Sequence, residues 1–206
     1  SDTPTAQPAA MNIPRDPAPA DPLEPLLSRL SVGTKYLREP APPPEDLRRM
    51  AAAALRAPDH AGLVPYRFAV VRGEARQRLA DLFESVALAQ GKPAEQARRD
   101  RGRATEPPLL VAVVARIDAG HPVATVHEQW IALGGALANF LTAAHALGYG
   151  GKMLSGSKVR AEAVMSAFCR PGETLVGWMV LGTPVGVGQP KFHKPSPDEL
   201  LGEWPG

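Results

Sequence analysis

An α+β domain is the fold class that this 206-residue sequence predicts. Three observations carry it. Apolar runs of strand length are few, chiefly Tyr66–Arg72, Leu109–Ala115 and Leu175–Leu181. Most of the long connections between them have helical periodicity, and the order is not a regular βαβ series. One segment, from Thr125 to about Leu147, is apolar on every side, a pattern that needs cover on every side.

Elements follow in chain order. Seven prolines fall among the first 25 residues with no apolar signal region, so residues 1–20 read as a flexible proline-rich arm and not a secretory leader. From Asp21 a short amphipathic helix carries Leu26, Leu27 and Leu30. Pro42-Pro43-Pro44 starts the next helix, where Leu47, Met50, Ala51, Ala54 and Leu55 recur at helical spacing. Tyr66–Arg72 is a strand, and Gly73-Glu74 opens a helix with Leu79, Leu82, Phe83 and Val86 on one face. Pro107-Pro108 closes a basic helix before Leu109–Ala115, a strand buried on both faces. Thr125 with Glu128 three residues on is a capping box for the long helix, about 33 Å from end to end. A glycine-rich turn, a helix from Val159 to Phe168 and a strand from Leu175 to Leu181 complete residues 21–184. Residues 185–206 form an extended tail, long enough to wrap the body or a neighbour.

Composition narrows the function. The chain is long enough for one sizeable core, and 44% hydrophobic content is ordinary for one. A net charge of +2 with scattered basic residues and no aromatic platform argues against nucleic acid. The densest basic run, Arg98-Arg99-Asp100-Arg101-Gly102-Arg103, reads as a solvated helix face, with phosphate binding as its alternative. The stretch from Ile131 to Leu147 is interrupted by Asn139, Thr142 and His145 and falls short of a membrane span. Five histidines without close spacing make no metal site. Cys169 has no disulfide partner, which fits a reducing, cytoplasmic setting. Packing is its simplest role, although Arg170 beside it could activate the thiol.

Three segments could do chemistry. Arg29 and Ser31 offer a cation and a hydroxyl, which suit a phosphate. Arg56, Pro58, Asp59 and His60 stand in a loop between a helix and a strand, where polar contacts are easily presented. The glycines of Gly150–Gly156 would let backbone amides approach a ligand closely. Each also has a plain structural reading: a helix end, a surface turn and a helix C-cap.

Taken together these segments resemble the nitroreductase family, in particular its small YdjA-like branch, from about Leu23 to Pro184. Arg29-Leu30-Ser31 resembles the opening Arg-Arg-Ser that holds the flavin phosphate. Ala57-Pro58-Asp59-His60 through Pro65-Tyr66 is similar to the segment in which the preceding Arg, here Arg56, and the His touch flavin. Met153-Leu154-Ser155, with Gly156, falls where the branch has Trp-Arg-Ser against the flavin. Ala143, Ala144, His145, Ala146, Leu147 and Gly148 fall where it places the nicotinamide.

The resemblance implies a mostly antiparallel central sheet flanked by helices, with Glu128-Gln129 and the long helix at the core of a homodimer. It implies FMN at the subunit interface, NAD(P)H as electron donor, and ping-pong hydride transfer to nitro compounds, quinones or similar small aromatic acceptors. No side chain is required as an obligatory catalytic base, because the cofactor carries the redox chemistry. Two departures stand out. Leu30 and Leu154 occupy positions where arginine is usual, and Lys191, in Lys191-Phe192-His193-Lys194-Pro195, is the candidate replacement cation. Two other functions fit parts of the pattern. One is a flavin-binding protein of the same fold with little turnover. The other is a serine–lysine acyl transferase built on Ser155-Gly156-Ser157-Lys158, for which the chain lacks the companion S-D-N and K-T-G motifs.

Overall fold

Strand β5, Thr174–Pro184, is the hub of the molecule: three other strands pair with it, all antiparallel. This computed structural model describes residues 21–186 and 188–206, so the proline-rich arm expected over residues 1–20 lies outside the described residues. The sheet order is β1-β5-β3-β2, with β1 Leu37–Arg38, β2 Tyr66–Val71 and β3 Leu109–Ala115, and with β4 Gly150–Leu154 also on β5. The nitroreductase-like α+β architecture expected from the sequence, a mostly antiparallel sheet flanked by helices, is present.

Helices cover both faces of that sheet. They are α1 Glu24–Ser28, α2 Pro44–Ala54, α3 Glu74–Ala89, α4 Ala94–Thr105, α5 Val126–Ala146, α6 Glu162–Phe168 and α7 Pro197–Leu200. One core layer joins Leu110, Ala112, Val114, Trp178 and Val180 to Phe83 of α3 and Val164 of α6. The other joins Val111, Val113, Met179 and Leu181 to α2 and to Leu133, Ala136 and Phe140 of α5. Alternate residues of β3 therefore serve opposite layers, and all seven are buried, as a two-sided apolar strand requires.

Helix α5 begins as expected. Thr125 Oγ1 accepts from the Glu128 N–H, and Glu128 Oε2 accepts in return from the Thr125 N–H, closing the capping box. Its inner stripe, Ala132, Leu133, Ala136, Phe140 and Ala144, is buried. Its outer stripe is not: Trp130 is 40% and Ile131 68% exposed.

Several boundaries differ from expectation. The glycine-rich turn is a strand, β4, because its glycines admit close packing. A Cβ on Gly151 would lie 2.7 Å from Leu181 Cδ2, and one on Gly150 3.2 Å from Leu37 Cδ2. The helix expected from Val159 starts at Glu162. Ser157–Arg160 is a separate 3-10 turn, broken off by Ala161 at ψ 124°. Helix α1 is one short turn, and its Leu26 and Leu27 are exposed instead of packed. The tail beyond β5 does not wrap its own domain: Phe192, Leu200, Leu201 and Trp204 are all at least 75% exposed. Burial, first, and Glu173 push the Cys169 thiol up, against the lowering by Arg67, so Cys169 is no activated nucleophile. No helix among the described residues is long and apolar enough to cross a membrane.

Candidate cofactor site

The sequence-predicted site residues form two groups, one towards each end of α5. The first group gathers around β4. Ser31 bridges Gly151 in parallel, and the Val32 N–H donates to the Gly151 carbonyl at 2.9 Å. This seats Arg29, Leu30 and Ser31 along the strand that leads to Met153, Leu154, Ser155 and Gly156. The C-terminal end of α5 joins them, with Ser28 Oγ 2.7 Å from His145 Nε2. In the segment expected to meet nicotinamide, Ala144 is buried in the core, Ala143, His145 and Leu147 are half-buried, and Ala146 and Gly148 are exposed.

The second group sits near the N-terminal end of α5. His60 Nδ1–H donates to Glu128 Oε2 at 2.9 Å, which fixes the imidazole on the helix. Thr125's backbone bond, first, and His60 hold the Glu128 carboxyl below its usual range. Ala57 and Pro58 lie against Gly135, where an added Cβ would come within 3.1 Å of Ala57 Cβ. Asp59 has an internal role as well: its Oδ2 accepts from the Val64 N–H at 2.8 Å. That bond closes a loop in which Ala61 and Val64 take positive φ, 66° and 49°. For a β-branched residue this conformation is strained, by about 1–3 kcal/mol, and strain of this kind collects at ligand-binding loops. Arg56 is exposed beside it.

The end of β4 opens on a cavity of about 340 Å³, within the range of small-molecule sites. Phe83, Leu110, Leu154, Trp178 and Val180 give it an apolar wall. Thr34, Arg103, Glu106, Ser155, Ser157 and Lys158 supply polar groups. Behind that wall Asp100, 1% exposed, binds Lys158 Nζ at 3.1 Å, Lys92 Nζ at 3.2 Å and Gln96 Nε2 at 3.1 Å. Burial raises the Asp100 carboxyl, but the bonds from Lys158, Lys92 and Gln96 outweigh it and leave the group below its usual range. Burial lowers Lys158, partly offset by Asp100. An apolar wall with hydroxyls and cations at its edge suits a small ligand with a flat apolar part and polar substituents, and Arg29, Leu30 and Ser31 are not part of its lining.

Of the residues lining the cavity, Thr34 carries no signal in the sequence, Lys158 is read there only as part of the serine–lysine alternative, and Arg103 only as part of the basic run. The basic run holding Arg103 reads as a solvated face, and most of it is one. Yet Ala97, Asp100 and Ala104 form the buried stripe of the helix that carries it, α4, and an acid on the inward side of a basic helix is the available signal. Lys191 lies in the exposed tail; an added Cβ on Gly188, three residues earlier, would meet Leu30 Cδ1 at 3.6 Å. For the serine–lysine alternative, the Lys158 amine is engaged by Asp100.

Comparison with known proteins bears on the family and the fold. The model of the "Nitroreductase family" matches residues 26–183. The Escherichia coli (strain K12) protein named "Putative NAD(P)H nitroreductase YdjA" is 35% identical over 182 residues, 88% of this chain and 98% of that protein. Among solved structures, a nitroreductase-like family protein from Bacillus cereus superposes with a TM-score of 0.78 at 19% identity, over 93% of this chain and all of that one. A tyrosine-to-alanine mutant of the FMN- and NADPH-dependent nitroreductase NfnB from a Sphingopyxis strain gives 0.69 at 16% identity, over 91% of this chain and 100% of that one. By its sequence match along most of its length, this chain belongs to the nitroreductase family.

Proposed function

We propose that this chain is an FMN-dependent NAD(P)H oxidoreductase that acts as a cytoplasmic homodimer and reduces nitro compounds, quinones or similar small aromatic acceptors in a ping-pong cycle. The observation that carries this reading is the division of the site. Glu128, which holds His60, and His145, beside Ser28, stand 17 residues apart on one helix, about 25 Å at 1.5 Å per residue. One ligand is not spanned by both groups of a single chain. A second copy, crossing antiparallel on the exposed stripe of α5, would bring its Arg56–His60 loop to the first copy's Arg29–Ser31 and Leu154–Gly156. That crossing would also cover Trp130 and Ile131.

FMN, when bound, supplies the electron-carrying chemistry. The residues of the chain then have distinct tasks. Arg29 and Ser31 would hold the phosphate, with Lys191 of the tail as an additional cation. The loop Arg56–His60, fixed by Glu128 and Asp59, would orient the cofactor from the second copy. Met153, Leu154, Ser155 and Gly156 at the end of β4 would lie against the ring. The end of α5, from Ala143 to Gly148, would receive the nicotinamide. The exposed apolar tail, from Phe192 to Trp204, would lie on the second copy.

Mixing the purified protein with FMN tests the reading. The protein should take up one FMN per chain, lose the flavin colour anaerobically on addition of NADH or NADPH, and regain it with a quinone or a nitroaromatic. A protein that ignores FMN would overturn the reading. A yellow protein that neither donor bleaches would leave only the binding function.

A further inference from the structure

The cavity at the end of β4 lies across the sheet from α5, and the function proposed above makes no use of it. We propose that it is a second binding site, separate from the cofactor site, for a small carboxylate with an apolar, ring-sized body. Its chemistry does not depend on what lies along α5.

Position separates the two sites. Phe83, Leu110, Trp178 and Val180 of the cavity wall belong to the core layer of α3 and α6, with Leu154 packed against it, whereas α5 serves the opposite layer. Of the residues assigned to the cofactor, only Leu154, Ser155 and Gly156 also line the cavity, so the end of β4 is a partition between them. Protein cores carry few voids larger than a water molecule, and an opening of about 340 Å³ that reaches such a layer is room for a ligand. Phe83 and Trp178 meet edge to face, their ring centres 5.5 Å apart, and give that ligand a preformed aromatic floor.

Charge selects the ligand. Lys158, 9% exposed, and Arg103 line the cavity together with the hydroxyls of Ser155 and Ser157. Lys158 Nζ at 3.1 Å, Lys92 Nζ at 3.2 Å and Arg103 Nε at 3.9 Å all face the buried Asp100. Counting Glu106, which also lines the cavity, three cations stand against two carboxylates, an excess of one positive charge. The Lys158 ammonium is held 5.6 Å from the centre of the Phe83 ring, and its bond to Asp100 uses only one of its three donors. Burial lowers Lys158, and an anion beside it acts in the opposite sense. A phosphate dianion would exceed the surplus charge, and a neutral aromatic would leave it unmatched. A carboxylate on an apolar body satisfies the cations and the floor together.

Calorimetric titration with naphthoate and with its uncharged counterpart naphthamide tests the assignment, on the wild type both free of FMN and mixed with an excess of it. Naphthoate should bind once per chain under both conditions, about tenfold more tightly than naphthamide, the scale of one charge-assisted hydrogen bond. Asp100→Asn/Lys158→Met, which removes the buried charges together, should erase that preference. Arg103→Gln, at a largely exposed side chain, should reduce it about threefold. Ser157→Phe, at the exposed rim, should weaken acid and amide alike, with an unchanged melting temperature showing that the fold is intact. Should the double variant fail to fold, Arg103→Gln and Ser157→Phe decide. Equal affinity for acid and amide would overturn the proposal, as would a preference that survives the charge variants or no binding of either probe. Displacement of naphthoate by FMN would also overturn it, by placing the probe in the cofactor site. A protein that takes up naphthoate but no FMN would uphold this site and overturn the flavin reading alone.

Discussion

Strand β3 and helix α5 are both conspicuously apolar in sequence, and the fold treats them differently. All seven residues of β3 are buried within the chain's own two core layers. Helix α5 buries Leu133, Ala136 and Phe140 but leaves Trp130 and Ile131 at 40% and 68% exposure. The strand belongs to a core that one chain completes. The helix keeps an apolar stripe that the proposed second copy would cover, and in that proposal the cofactor site is divided along the helix. Burial at β3 is therefore expected to govern folding, whereas under the proposed dimer burial at α5 would govern association and, through it, cofactor binding.

Substitutions should separate the two. Val113→Asp places an unpaired carboxylate in a strand with no exposed face and should destabilise the chain by more than ~4 kcal/mol. Denaturant unfolding should show that loss at every protein concentration. Ile131→Glu, on the exposed stripe, should leave the circular dichroism spectrum intact and weaken dimerisation by about 2 kcal/mol or more, roughly thirtyfold. An Ile131→Glu protein that sediments as a wild-type dimer would remove α5 from the interface.

Two further changes act where the helix meets the site. Gly135→Val pushes on Ala57, 3.1 Å from the added Cβ, and should cost about 1–3 kcal/mol while displacing the Arg56–His60 loop. Weaker FMN binding with an unchanged dimer constant would show that the loop acts separately from association. Lys191→Ala should weaken FMN about tenfold, and deletion of residues 188–206 should do so at least as strongly. Unchanged affinity and salt dependence in the truncated protein would leave the phosphate to Arg29 and Ser31.

The smallest effect concerns the single-chain side of the comparison. Arg67 binds Glu173 through two N–H donors, Nε at 2.8 Å and NH2 at 2.7 Å, joining β2 to the segment before β5. Arg67's hydrogen bonds, first, and then the Arg170 N–H outweigh burial and hold the Glu173 carboxyl at about 2, below its ordinary 4.5. A folded value lower than the unfolded one gives stability that is fully present above pH 4.5 and lost as pH falls towards about 2. Acid unfolding of the wild type should show this loss independently of protein concentration. Arg67→Met should flatten that part of the profile.

What the sequence made legible follows from the range of the forces involved. The capping box of α5 and the continuous apolar run of β3 are local patterns, and both elements form where those patterns predict. Strand β1 is two residues long and exists only through its pairing with Pro184 and Thr183, which no local pattern announces. Strand β4 reads as a turn because it opens with two glycines. Its strand character comes from close approach to β5, a tertiary fact. The candidate sites divide in the same way. Arg29–Ser31 and Arg56–His60 are short motifs visible by resemblance. Lys158 and Arg103 are joined only through Asp100, a contact across 58 residues that the sequence shows as an acid interrupting a basic run.

Sedimentation velocity followed in the visible band of bound flavin tests the central claim most directly, with wild type and Ile131→Glu run side by side over a dilution series. The account predicts that the colour sediments only at the rate of a dimer, fades as the wild type dissociates, and is absent from the Ile131→Glu monomer. A monomer that keeps its flavin, in either protein, would contradict it.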